Sequence, residues 1–243
     1  MNGKVAVISG GAGFIGFEIC RSLCENGVTL AVFGSTEAKA NETVQRLGKL
    51  GEQCLPVGCN VVDNEALRTA LKQTAERFGG IDVVISMQGW PPKKEDISEI
   101  TDETWNGVMS SHLTGSFHML QQAIPYLEKS SSPRVIFLAS PGVFNGNPDD
   151  GLAYCTAKGG IVSMTHTAAK MLANKNITVN CLAAGGLNNG YQHEMGANTA
   201  GQIPLGRINT LDNIRQAVSF LISEAGAAVT GQVLVYNSGE IIG

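Results

Sequence analysis

Lys4-Val5-Ala6-Val7-Ile8-Ser9-Gly10-Gly11-Ala12-Gly13-Phe14-Ile15-Gly16 decides how the chain is read. The apolar run up to Ser9 has the length and residue types of a buried strand. A glycine cluster follows. A helical pattern then runs from Phe14 to Asn26, with Ile15, Ile19 and Leu23 on one face and Gly27 as the stop. Gly10, Gly13 and Gly16 give G-x-x-G-x-x-G, while Gly11, Gly13 and Gly16 give G-x-G-x-x-G. Both registers have the same physical meaning. One glycine permits the turn, one lets backbone N–H groups approach a pyrophosphate, and Gly16 lets the helix pack against the strand. The helix N-terminus adds partial positive charge for the phosphates.

Further along, short apolar runs alternate with helical patterns. Strands are expected over Val28–Phe33, Gln53–Val57, Ile81–Ile85, Arg134–Leu138, Ile177–Leu182 and Gln232–Tyr236. Helices are expected over Ala38–Leu50, Asn64–Phe78, Asp102–Glu128, Ala153–Asn174 and Leu211–Ser223, the long one from Asp102 kinked or broken near Pro125. Seven buried strands alternating with helices imply an α/β fold, a doubly wound parallel sheet in a three-layer sandwich. No linker or repeat interrupts the pattern, so residues 1–243 are read as one dinucleotide-binding and catalytic domain, with a short substrate lid near 187–203.

Composition narrows the function. Seventeen basic against 21 acidic residues give a net charge of −4, which supplies no positive field for nucleic acid. No apolar run approaches the roughly 20 residues that span a bilayer. The N-terminal run breaks at Gly10, too soon for a signal peptide, and a cytoplasmic location is expected. Cys20, Cys24, Cys54, Cys59, Cys155 and Cys181 form no C-x-x-C pair and read as free thiols. His118, His166 and His193 show no metal-ligand spacing.

The strand-two tip reads Phe33-Gly34-Ser35-Thr36-Glu37. An acid at the tip would take the adenosine ribose hydroxyls of NAD. Ser35, Thr36 and Lys39 instead leave room for a 2′-phosphate, a slight lean to NADP(H), with Glu37 the competing feature on the NAD(H) side.

Tyr154 and Lys158 stand at i and i+4 of an expected helix, on one face. A free phenol titrates near pH 10, and an ammonium one turn away favours the phenolate. Such a pair can exchange a proton with a carbonyl or alcohol oxygen. Ser140 follows a strand, so strand and helix both deliver to the carboxyl edge of the sheet, where ligands bind in open α/β folds.

With the loop from Ser9 to Gly16, Ser140, Tyr154 and Lys158 in hand, the chain resembles the short-chain dehydrogenase/reductase family, in its compact branch, over essentially its whole length. Val179-Asn180, Pro204-Leu205-Gly206-Arg207 and Thr230-Gly231-Gln232 add to the match. The resemblance implies that Tyr154 is the general acid/base and that Ser140 hydrogen-bonds the reacting oxygen. It implies that Lys158 lowers the Tyr154 pKa and holds the nicotinamide ribose, with hydride exchanged at C4 of the nicotinamide. The cofactor residues it implies are Gly10, Gly13, Phe14, Ile15, Gly16, Ser35, Thr36, Asn60, Val61, Gly89, Tyr154, Lys158, Gly185 and Leu187.

The chain also departs from the family pattern. Phe14 in the glycine loop resembles the extended, sugar-nucleotide-modifying branch, although the chain is too short for that branch's added substrate domain. The usual Asn-Asn-Ala-Gly is Ser86-Met87-Gln88-Gly89, the usual Asp after strand three is Asn60, and Ala184-Gly185 replaces Pro-Gly. His112 stands where the family places a catalytic Asn that holds a relay water. His112 either takes over proton transfer through its ring or fills a bend.

The expected lid carries Asn188, Asn189, Tyr191, His193, Glu194 and Met195 and no basic residue, which favours a neutral carbonyl or alcohol substrate. Trp90, Phe144 and Asn145 are placed as pocket walls, Trp90 with surface exposure as the equal alternative. Lys129, Arg134 and Lys175 are read as solvated charge. Surplus apolar residues on the two long helices, with the resemblance, imply a homotetramer or homodimer. The function expected is NAD(P)-dependent interconversion of a ketone and a secondary alcohol. The alternatives are a dehydratase or epimerase that keeps its NAD, and a non-catalytic dinucleotide-binding protein.

Overall fold

The computed structural model describes residues 1–90, 94–185, 187 and 203–241. The lid positions Asn188 to Met195 lie outside the described residues. Seven parallel strands form one sheet: β1 (Val5–Ser9), β2 (Thr29–Gly34), β3 (Leu55–Gly58), β4 (Val83–Ser86), β5 (Arg134–Ala139), β6 (Thr178–Ala184) and β7 (Val233–Tyr236). Their spatial order is β3-β2-β1-β4-β5-β6-β7, and every neighbouring pair is parallel. The order reverses between β1 and β4, the crevice where such sheets take ligands.

The helices are α1 (Phe14–Glu25), α2 (Glu37–Arg46), α3 (Asn64–Phe78), α4 (Asp102–Met109), α5 (Gly115–Leu127), a short α6 (Gly142–Asn145), α7 (Leu152–Leu172) and α8 (Leu211–Ile222). They cover both faces, which explains the unbroken apolar strands. Strand alternation divides the core. Val7, Phe33, Val84 and Phe137 pack with Leu67, Leu71, Met119 and Ile161 on the α3–α5–α7 side. Ala6, Ile8, Val32, Ile85 and Ile136 pack with Ile19, Leu23, Ile214 and Leu221 on the α1–α8 side. Sequence-based boundaries hold to within a few residues. The largest shift is in α2, which ends at Arg46 and passes into a 3-10 turn, Gly48–Gln53.

Two expectations are corrected. The long helix is not broken at Pro125, which lies inside the last turn of α5, so the bond its missing N–H gives up is among the last of the helix and the earlier turns keep theirs. The interruption is a π-helical turn at Ser110–Thr114, which carries His112 and separates α4 from α5. π-turns hold an extra residue against the ordinary ladder and gather at functional sites. Arg134 is not solvated: it is 3% exposed at the start of β5, with its Nη1 donating to the Pro133 carbonyl at 3.0 Å. Lys175 is ion-paired with Glu128. No helix among the described residues is long and apolar enough to cross a membrane.

Candidate active site

The site begins at the N-terminus of α1. Thr36, Asp63, Thr101 and Thr210 cap α2, α3, α4 and α8 with side chains, but α1 starts at Gly13 with no side-chain cap and no acid in its first turn. Its first N–H groups are therefore left for a ligand. The loop is also too tight for side chains. A Cβ on Gly16 would lie 2.2 Å from the Gly10 carbonyl oxygen, and one on Gly10, whose φ is +79°, would lie 2.6 Å from that of Met87. A cavity of about 380 Å³ opens beside this loop. Gly10, Gly13, Ser35, Lys39, Asn60, Val61, Gly89 and Trp90 line it. The uncapped helix end and the Ser35 and Lys39 side chains lining it fit the phosphates and the adenosine of a dinucleotide.

At the adenosine end, Lys39 Nζ donates to Ser35 Oγ at 3.4 Å, while the Thr36 hydroxyl caps α2. Asn60 Oδ1 accepts from the Val62 N–H at 3.2 Å. Phe14 is exposed, whereas the Leu187 side chain is buried in the core, so only its backbone can meet a ligand. Gly185 packs against Pro141, next to Ser140.

At the carboxyl edge of β5, Ser140 is brought to the side of Tyr154 and acts on its phenol. Lys158, one turn on in α7, is 3% exposed; its Nζ donates to the Leu138 carbonyl at 2.7 Å and lies 5.5 Å from the centre of the Tyr154 ring. The His112 and Tyr154 rings meet edge-on at 5.3 Å, and Trp90 meets His112 edge-on at 6.3 Å. The residues singled out in the sequence are thus brought together, Trp90 with its ring half exposed.

The electrostatics differ from the sequence expectation. Burial raises Tyr154 above the ordinary phenol value; Asp150 and Cys155 add to the rise and Ser140 opposes it. Burial lowers Lys158 to about 8. The ammonium is turned to a backbone carbonyl, not to the phenolic oxygen, so desolvation outweighs its pull on Tyr154. His112, 2% exposed, is pushed down to about 3 by burial and by the charge of Lys158, and is a neutral imidazole at any working pH. Among the described residues neither ring nitrogen makes a hydrogen bond of full geometry, and the Trp90 backbone beside the ring acts weakly against the fall.

Two residues of this site have partners that their places in the sequence do not reveal. Gln88 turns inward: its Oε1 accepts from Ser9 and Ser86, and its Nε2 donates to Ser116 at 3.1 Å. Ser116 in turn donates to the His112 carbonyl at 2.7 Å. The glycine loop, β4 and the π-turn are thereby tied together. Asp150 lies beside Ser140, its Oδ2 accepting from Ser140 Oγ at 3.2 Å. Side-chain direction after a strand end is not encoded in spacing.

A family model described as "Enoyl-(Acyl carrier protein) reductase" matches residues 10–240. The chain belongs to the short-chain dehydrogenase/reductase family. The 3-oxoacyl-(acyl-carrier-protein) reductase FabG of Haemophilus influenzae is 30% identical over 98% of this chain and 98% of its own. The actinorhodin polyketide ketoreductase with NADPH is 26% identical at a TM-score of 0.88, covering 98% of this chain and 97% of that one. The 3-ketoacyl-(acyl-carrier-protein) reductase of Brucella melitensis, complexed with NADH, has the same fold at a TM-score of 0.89, with 23% identity and 99% coverage of both chains. As a short-chain dehydrogenase/reductase the chain is an NAD(P)-dependent oxidoreductase, which removes the non-catalytic alternative.

Proposed function

We propose that this enzyme reduces a ketone to a secondary alcohol, with Tyr154 as the proton donor. The observation that carries the reading is the convergence of Tyr154, Lys158 and His112 beside Ser140 at the sheet's carboxyl edge, with Lys158 buried behind the Tyr154 ring. The nicotinamide supplies the hydride when bound. Ser140 orients the substrate oxygen against Tyr154, and Tyr154 gives that oxygen its proton. Lys158 is placed to hold the nicotinamide ribose and to stabilise the phenolate left behind. His112 takes the position of the family's Asn as a neutral ring whose nitrogens make no hydrogen bond of full geometry among the described residues, which suits proton relay better than filling space. Ser35 and Lys39 favour NADP(H).

The relatives act on 3-oxoacyl groups, and the exposed Trp90, Phe144 and Leu152 offer an acyl chain an apolar margin. A 3-oxoacyl thioester is therefore the substrate class assigned. Self-association through α5 and α7, where Phe117 and Met171 are exposed, belongs to the same reading. The exposed Phe14 motivates the second reading, a dehydratase or epimerase that retains NAD. A panel of 3-oxoacyl thioesters, plain ketones and sugar nucleotides, followed by loss of NADPH absorbance, separates them. The expected result is stoichiometric NADPH consumption with the thioester at a kcat/KM at least tenfold above plain ketones. Conversion of a sugar nucleotide with no net cofactor consumption would overturn the assignment.

A further inference from the structure

Cys24 and Cys54, 30 positions apart in the chain, meet in the fold with their sulfurs 3.5 Å apart, in hydrogen-bonding contact. The proton and hydride chemistry uses neither. Cys24 sits in the last turn of α1 and is 3% exposed. Cys54 is half-buried, between the 3-10 turn Gly48–Gln53 and the start of β3. Solvent therefore reaches Cys54 and not Cys24. The pairing of β3 with β2 begins at Leu55, so no strand ladder fixes Cys54. Cys20, one turn earlier in α1, is fully buried and faces the glycine loop: a Cβ on Gly11 would lie 3.1 Å from its sulfur.

We propose that Cys24 and Cys54 form a redox modification site: hydrogen peroxide oxidises Cys54, and Cys24 then closes an internal disulfide. The two sulfurs have the unequal surroundings that this sequence of steps needs. The hydrogen bond from Cys24 draws Cys54 below the ordinary thiol value, against its burial. That bond and burial push Cys24 up. Cys54 is thus the reachable thiolate, and Cys24 the sheltered thiol that keeps its proton until it is needed.

In the first step the Cys54 thiolate attacks one peroxide oxygen. The O–O bond breaks, hydroxide leaves and takes up the proton Cys54 had lost, and the sulfur becomes a sulfenic acid. In the second step the Cys24 sulfur attacks that of Cys54. The S–O bond breaks, the hydroxyl leaves as water with the Cys24 proton, and the S–S bond forms. Two thiols are oxidised, and one peroxide is reduced to two waters. The sulfurs must close from 3.5 Å to about 2.05 Å, a movement taken up by the unpaired segment before β3. The bond closes a loop that contains β2 and α2, and with them Ser35 and Lys39 at the adenosine end of the cavity. Ser140, Tyr154 and Lys158 lie outside this loop, so the proposal is independent of the Tyr154 reading.

The test treats the reduced, full-length enzyme with hydrogen peroxide in small molar excess, then denatures it in N-ethylmaleimide. The expected result is that four thiols instead of six take up the reagent. Trypsin cuts after Arg21, Lys39, Lys49 and Arg68, which puts Cys20 and Cys24 on different peptides. Mass spectrometry should then find peptide 22–39 joined to peptide 50–68, with fragmentation placing the bond at Cys54 and not at Cys59. Dithiothreitol should separate them. Cys24→Ser should form no joined peptide and should instead hold a sulfenic acid on Cys54 that dimedone labels. Cys54→Ser should give neither the joined peptide nor a dimedone adduct on Cys24. A cofactor-induced rise in Tm shows that each variant folds, and Cys24→Ala takes the place of Cys24→Ser should the latter fail. Six alkylated thiols after peroxide, a bond to Cys20 or Cys59, or a disulfide between two chains would overturn the proposal.

Discussion

Tyr154→Phe is expected to lower kcat/KM by about 10³-fold while leaving cofactor binding intact, the size typical of losing a positioned acid. The ring packs edge-on against His112 and stands over Lys158, and Phe keeps both contacts. Only the hydroxyl beside Ser140 is lost. The Tm increase on adding NADPH should therefore match wild type. A variant that kept a tenth or more of its turnover would mean that the proton comes from elsewhere.

Lys158→Met is expected to inactivate the enzyme yet stabilise the fold by about 2 kcal/mol at pH 7. The argument is one of linkage. Lys158 titrates near 10.5 in the unfolded chain and near 8 in the fold, because burial penalises its charge. Between those values the unfolded chain holds more protons than the folded one, so stability rises with pH through that window. Below pH 8 the full penalty is present, about 3 kcal/mol for a shift of this size. The hydrogen bond to Leu138 returns about 1 kcal/mol, which Met forfeits. Denaturant melts of both proteins should thus differ at pH 7 and converge by about pH 10.5. A variant less stable than wild type at pH 7 would show that the buried ammonium is better compensated than its surroundings indicate. Stability given up at a functional lysine is a common trade.

Much of this was legible in the residues. The β1–loop–α1 unit, the seven strands and the meeting of Ser140 with Tyr154 follow from periodicity and from the rule that strand ends and helix starts share one edge. What was not legible depends on how side chains turn at those edges. Pro125 looked like the helix breaker, yet it falls in the last turn of α5, where only the helix's final hydrogen bonds are at stake, and the break falls at the π-turn, which leaves no compositional mark. Gln88 stood only as a departure from the family's Asn-Asn-Ala-Gly, but its side chain folds inward to neighbouring Ser86 and to Ser9 and Ser116 from distant segments. The Tyr154–Lys158 spacing correctly placed the pair on one face. It could not report that the ammonium turns to Leu138, or that a carboxylate four residues upstream of Tyr154 acts in the opposite sense.

The most direct measurement follows the hydrogen itself. NADPH carrying deuterium in both positions at C4 of the nicotinamide, incubated with a 3-oxoacyl thioester, should deliver one deuterium to the carbinol carbon of a 3-hydroxyacyl product per cofactor oxidised, the other staying on the oxidised cofactor, as mass spectrometry would read. Product formed without deuterium at the carbinol carbon would contradict the account.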